Sequence, residues 1–114
     1  PFSSEERDKG LCQVIVEAHT YIEAYLDGVD SASFRMHHML QDAVTMRLQQ
    51  ILECAGKLSS SLRSDLKIDW SSLVAMRNKI SHSYDEIDVN LVWQVIREFD
   101  EFKKLVEFAR KKIL

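Results

Sequence analysis

Arg77, Asn78, His82 and Tyr84 stand within eight positions of one another in the stretch "MRNKISHSYDEID". A guanidinium offers a planar fork of donors that matches phosphate oxygens. An imidazole with an ordinary pKa of about 6.5 takes and returns a proton near neutrality. Together the two suit cleavage of RNA by its own 2′-hydroxyl. His82 would remove the 2′ proton, and Arg77 would stabilise the charge that builds on phosphorus. Such chemistry calls for no metal and no cofactor, and no obvious carboxylate cluster accompanies the pair: Asp85, Glu86 and Asp88 read as turn and cap residues. A structural origin stays open from the pattern alone, because an arginine and a histidine on one helix flank are common. Tyr84 equally suits a buried ring with its hydroxyl satisfied at a helix end.

On a straight helix Arg77, Ser81 and Tyr84 lie within about 40° of one another, with Asn78 and His82 in a neighbouring row. Arg77 and His82, five positions apart, diverge by about 140°. They converge on one small group only if the helix ends near Ser81, if the arginine reaches far, or if a second subunit contributes.

Four helical segments are predicted to position these residues. The first runs from about Glu5 to Asp27, where Leu11, Val14, Ile15, Ala18, Ile22, Tyr25 and Leu26 recur at three and four. "LDGVDSAS" ends it with a glycine and offers Ser31 or Ser33 as the next cap. The second runs from about Phe34 to Leu62, with its end bent or frayed by "GKLSSSLRSD". The third spans about Trp70 to Ser83, with Asp69 as its cap. In the fourth, Asp88 caps, Ile87 staples onto Val92, and the helix continues to the end of the sequence. Short links between long helices predict an all-α fold, an antiparallel up-and-down four-helix bundle occupying residues 1–114 as one domain. Phe99, Phe102, Val106 and Phe108 make the last helix apolar over more than a stripe, which points to a homodimer.

Composition agrees. The 114 residues are 46% hydrophobic with three glycines and one proline, too few turn-formers for a many-stranded β fold. No run approaches the roughly 18 apolar residues of a membrane span, and the first ten residues lack the pattern of a signal peptide, so a cytoplasmic protein without membrane contact is expected. The formal charge of −3 opposes a broad basic face for nucleic acid, so contact with RNA must come from a local cluster or from a surface made by two copies. The terminal "RKK" is either such a cluster or a dipole complement at a helix end. Cys12 and Cys54 sit at apolar helical positions and read as free thiols in the core; His19, His37 and His38 read as ordinary helix or surface residues.

"RNKISHSY" resembles the Arg-x4-His-x-Tyr motif of the HEPN superfamily, in its HepT-like branch. "QDAVTMRLQQILECAGKL" is similar to that family's second helix, with Arg47 and Glu53 at its polar positions. "IDWSSLVAMRN" and "IDVNLVWQVI" resemble the flanks of the motif, and the likeness extends from about Lys9 to Leu114. The resemblance implies a homodimeric ribonuclease toxin of a toxin–antitoxin pair. Arg77 and His82 would be its catalytic pair, Asn78 a polar supporter, and Tyr84 the acceptor of AMP from a small nucleotidyltransferase antitoxin. AMP would add bulk and negative charge beside groups meant for an anion. Two departures stand out: Ser83 occupies a common glycine position, and Leu52-Glu53-Cys54 replaces a common Gly-Glu-Ala. A second class of function also fits the family: a non-catalytic subunit that presents a nucleotide or substrate to a nucleotidyltransferase.

Overall fold

A computed structural model describes residues 3–81 and 86–114. Every regular element among them is helical: α1 (Ser4–Tyr25), α2 (Ser31–Arg35), α3 (His38–Gly56), α4 (Ser60–Ser64), α5 (Trp70–Ser81), α6 (Val89–Glu98) and α7 (Asp100–Lys112). The longest extent of the molecule is 43 Å, little more than the roughly 33 Å that α1 spans at about 1.5 Å per residue. The long helices therefore lie side by side.

α1 forms where its stripe predicts, burying Cys12, Ile15, Ala18 and Ile22, and Gly28 takes the left-handed backbone (φ +72°) in the turn that follows. Asp30, rather than Ser31 or Ser33, caps α2, by accepting the Ser33 N–H at 2.8 Å. The predicted second helix is three helices. His37 interrupts it by offering Nδ1 to the Leu40 N–H at 3.1 Å, an N-cap that starts α3 afresh. The buried Gln41 amide holds that break by donating to the carbonyls of Phe34 and Arg35. Beyond α3, Ser59 caps α4 through the Leu62 N–H. The predicted fourth helix is also divided, at Phe99, whose backbone is extended (φ −86°, ψ 107°). The division lets α6 pack on α2, where Trp93 meets Phe34 at 5.2 Å, while α7 packs on α1.

Cross-contacts fix the directions. Asp8 meets Ser59 and Tyr21 meets Arg47, so α3 runs against α1. Gln49 approaches the Ile80 carbonyl and Gly56 approaches Arg77, so α5 runs against α3. Glu23 meets Arg97 and His19 meets Arg110, so the α6–α7 pair runs against α1. Phe102 and Val106 are buried in this chain's own core, with Phe99 and Phe108 packed against it, so the surplus apolar face expected to seat a second copy is mostly consumed internally. The large apolar side chains left exposed include Met36, Met39, Met46, Tyr21 and Val74. Cys12 and Cys54 are free, and burial pushes both thiols up from their usual pKa, which suits packing rather than reactivity. Two of the last-turn cations are engaged locally: Arg110 with His19, and Lys111 with Glu107 at 3.4 Å.

His19 gives the α1–α7 seam a pH dependence. Its side chain is only 14% exposed, with its ring 6.1 Å from that of Phe102 and tilted by 51° to it. Arg110 donates to Nδ1 at 3.0 Å, which leaves the proton on Nε2, facing Glu23 at 3.5 Å. Burial holds its pKa below the ordinary value, helped by the charges of Arg110 and Arg97 and opposed by Glu23. Between the lowered folded pKa and the unfolded value of about 6.5, the unfolded chain binds a proton that the folded chain refuses. Stability is therefore expected to fall as pH drops below about 6.5, and the fall should be shallower in His19→Gln. Urea unfolding of both proteins between neutral and mildly acidic pH checks this.

Candidate functional site

Arg77 and Asn78 stand on α5, whose N-terminal end is anchored by polar contacts. The Asp69 carboxylate accepts from the Ser72 N–H and from the hydroxyls of Ser71 and Ser72, and these bonds hold its pKa below the usual carboxylate range. The Asp69 N–H donates to Glu101 of α7 at 2.7 Å. One residue on, the Trp70 indole donates to the Arg63 carbonyl at 3.0 Å, tying α5 to the end of α4. Leu73 and Ile80 then bury the inner face of the helix.

α4 is held in turn by α1. Asp8 is 4% exposed, accepting the Ser59 N–H at 2.9 Å and the Ser59 hydroxyl at 2.5 Å. A carboxylate buried to this degree is stable only when its lone pairs are filled, and both oxygens are.

Arg77 leaves α5 on the flank of the buried face and is half-buried. Its guanidinium crosses to the last residue of α3, where a Cβ built on Gly56 would lie 2.9 Å from Nη1. Leu52, Ala55, Gly56, Arg63, Trp70, Leu73 and Val74 surround it, with a residual cavity of about 10 Å³, at the lower limit for a water molecule. Among the described residues no carboxylate lines this pocket. Among the described residues the Arg77 side chain has neither a hydrogen bond nor an ion pair. It lies against the C-terminal turn of α3, the negative end of that helix dipole.

Asn78 is exposed, one position round the helix from Arg77. His82 and Tyr84 lie outside the described residues, so the distance from Arg77 to either is not among the observed geometry. The chain on both sides of them is ordered by contacts. The Ile80 carbonyl receives a long 3.5 Å approach from Gln49 Nε2, and Asp88 caps α6 by accepting the Leu91 N–H at 3.1 Å. Between those two ends is a cavity of about 30 Å³ lined by Thr45, Gln49, Ile80, Ile87, Asp88 and Val92. The Thr45 hydroxyl, buried at its edge, finds no partner among the described residues.

Arg47 and Glu53, the polar positions expected on the second helix, do not join Arg77. Arg47 is nine residues from Gly56, about half a turn away in angle. It stacks 4.2 Å over the Tyr21 ring and donates to Gln50. Glu53 is exposed. Sequence reasoning passed over Asp8, Arg63, Trp70 and Gly56. Asp8 had a readable signal, a charge on the same stripe as Cys12 and Ile15. Gly56, a glycine inside a helical pattern without a turn, had another. Among the described residues no group of three or more His, Cys, Asp or Glu side chains is placed to hold a metal ion, and no helix is long and apolar enough to cross a membrane.

Comparison with known proteins adds a family to this geometry. Residues 15–111 match the family model described as Ribonuclease HepT-like. Relatives include "Putative RNase MJ1380" of Methanocaldococcus jannaschii, 29% identical over 101 residues, which are 87% of this chain and 92% of that protein. They also include "Probable ribonuclease HepT" of Thermococcus cleftensis, 28% identical over 95 residues, 79% of this chain and 83% of that protein. No solved structure matches the chain significantly.

The Asp8–Ser59 link is the anchor on which the Arg77 pocket rests. Asp8→Ala leaves the half-buried Ser59 N–H without its acceptor, and is expected to lower unfolding free energy by about 2 kcal/mol. Removing the exposed carboxylate of Asp65 should change it by no more than about 0.5 kcal/mol. Urea denaturation of the two variants beside wild type measures the difference.

Proposed function

The chain belongs to the HepT-like ribonuclease family, and from that premise we propose that it is a metal-independent endoribonuclease, the toxin of a toxin–antitoxin pair, working in the cytoplasm as a homodimer of four-helix bundles. The single observation that carries the catalytic reading is Arg77: a half-buried guanidinium without an ion pair among the described residues, four positions before the end of α5. A structural arginine at such a place normally finds a carboxylate. One whose partner is the substrate does not need one.

In the proposed reaction the His82 imidazole takes the proton from the RNA 2′-hydroxyl. The 2′-oxygen forms a bond to phosphorus, the bond to the 5′-oxygen breaks, and that oxygen leaves with the proton that the imidazole returns. Arg77 holds the non-bridging oxygens as negative charge grows on them. Asn78, exposed beside Arg77, supports the RNA. The products are a 2′,3′-cyclic phosphate and a 5′-hydroxyl. Side chains supply both the proton transfer and the charge, so the reaction runs without a metal.

The same reading assigns control to Tyr84. A nucleotidyltransferase antitoxin transfers AMP to its hydroxyl, two residues from His82, placing a phosphate and a nucleoside where RNA would otherwise lie. In support of a second copy, Met36, Met39 and Met46 leave exposed apolar side chains at and along α3.

Purified protein in the presence of chelator is expected to cut RNA and leave 2′,3′-cyclic ends. Arg77→Ala and His82→Ala are expected to slow cleavage by about 10²-fold or more. Wild-type rates in both variants would remove the two residues from the site, and no cleavage by wild type would favour the non-catalytic subunit. Incubation with the cognate transferase and labelled ATP should mark the wild-type chain and leave Tyr84→Phe unmarked; label retained by that variant would place the modification elsewhere.

A further inference from the structure

Gly56 is the last residue of α3 and has ordinary helical backbone; the glycine with left-handed φ is Gly28. Its lack of a side chain is therefore no requirement of the backbone. Within a helix, alanine is preferred to glycine by as much as about 1 kcal/mol, less at the final turn. What glycine provides is space. Of the side chains and other helices among the described residues, a Cβ at this position would meet only Arg77 within 4 Å, at 2.9 Å from Nη1 and 4.0 Å from Cζ. Carbon and nitrogen cannot remain at 2.9 Å, so the guanidinium would be displaced.

Among the described residues nothing polar would resist the displacement. Arg77 makes no hydrogen bond or ion pair with them, and the walls of its pocket are what they offer to locate its head. On one side stand Trp70, fixed through its indole N–H, and Leu73, which is buried; on the other stands the bare surface of α3. Gly10 makes a useful contrast. A Cβ there meets nothing within 4 Å, so glycine at position 10 holds no side chain in place.

We propose that Gly56 is a positioning residue for RNA cleavage: by carrying no side chain it sets how closely the Arg77 guanidinium lies against α3, and so where that cation stands relative to the scissile phosphate. The inference rests on the reading of Arg77 as a catalytic group. Because the clash falls on the flexible end of a side chain and Gly56 itself is exposed, Gly56→Ala should fold normally.

The test compares Gly56→Ala, Arg77→Ala, the double variant and Gly10→Ala in thermal unfolding and in RNA cleavage under saturating and limiting substrate. Gly56→Ala is expected to unfold at the same or a higher temperature than wild type, while kcat falls about tenfold or more, since a misplacement of an ångström can cost up to about 10²-fold. KM should change less than kcat, because the group acts on charge that develops in the transition state. In the Arg77→Ala background the added alanine should cost nothing further, and Gly10→Ala should cut at the wild-type rate. Wild-type cleavage by Gly56→Ala, beside slow cleavage by Arg77→Ala, would overturn the positioning role and leave Arg77 in place. An additive loss in the double variant, or a drop in unfolding temperature that accounts for the lost rate, would overturn it too. Unimpaired cleavage by Arg77→Ala would instead overturn the catalytic reading of Arg77, and the role of Gly56 with it.

Discussion

A guanidinium remains charged at any pH at which a protein stays folded, so half-burying one without a carboxylate beside it must be offset by the structure around it. Among the described residues Arg77 is in that position, and several contacts around it fix its pocket. Asp8 on α1 secures Ser59 and with it the start of α4. The end of α4 receives the Trp70 indole, and α7 receives the Asp69 N–H through Glu101. α5 is thus fastened at its N-terminus by two independent hydrogen bonds before Leu73 and Ile80 enter the core. The pocket is rigid because its walls belong to helices that α1 ties together, and not because any of its own contacts with the arginine is strong.

Local rules account for what was readable in the fold. The three-and-four spacing from Leu11 to Leu26 marked α1, and Asp69 and Asp88 marked the starts of α5 and α6, because a cap is a bond between neighbours in sequence. The interruptions were hidden for the opposite reason. His37 is an unusual cap, and nothing in the apolar spacing of Phe34 to Leu62 breaks phase there. At Phe99 the buried positions Val92, Val95 and Ile96 before the break and Phe102, Leu105 and Val106 after it keep an uninterrupted helical rhythm. Their division reflects which neighbour each half packs on, and that is settled by tertiary contacts.

The site shows the same limit. Residue types and spacing singled out Arg77, Asn78, His82 and Tyr84, and the match over residues 15–111 places that stretch inside a ribonuclease family. Spacing carried no sign of Arg63, Trp70 or Gly56 as the setting of Arg77, since each reaches it across at least seven positions, nor of Asp8, which acts on that setting through Ser59. Asp8 and Ser59, 51 apart, are the extreme case. A charge on an apolar stripe and a glycine without a turn were anomalies in the sequence, and both prove to be where helices meet.

These placements bear on how a chain of net charge −3 attracts an anion. Several of its cations are spent at home: Arg97 on Glu23, Lys104 on Glu101, and Lys111 on Glu107. Such exposed pairs add little stability, but each cancels a positive field near the surface. Arg63 and Arg77 differ: the pocket that both line has aromatic, aliphatic and glycine neighbours and, among the described residues, no acid. Net charge sets solubility, whereas the field at a few ångströms follows from which cations lack partners. An acidic protein can therefore hold an anion tightly at one point, provided that its fold keeps carboxylates out of that point.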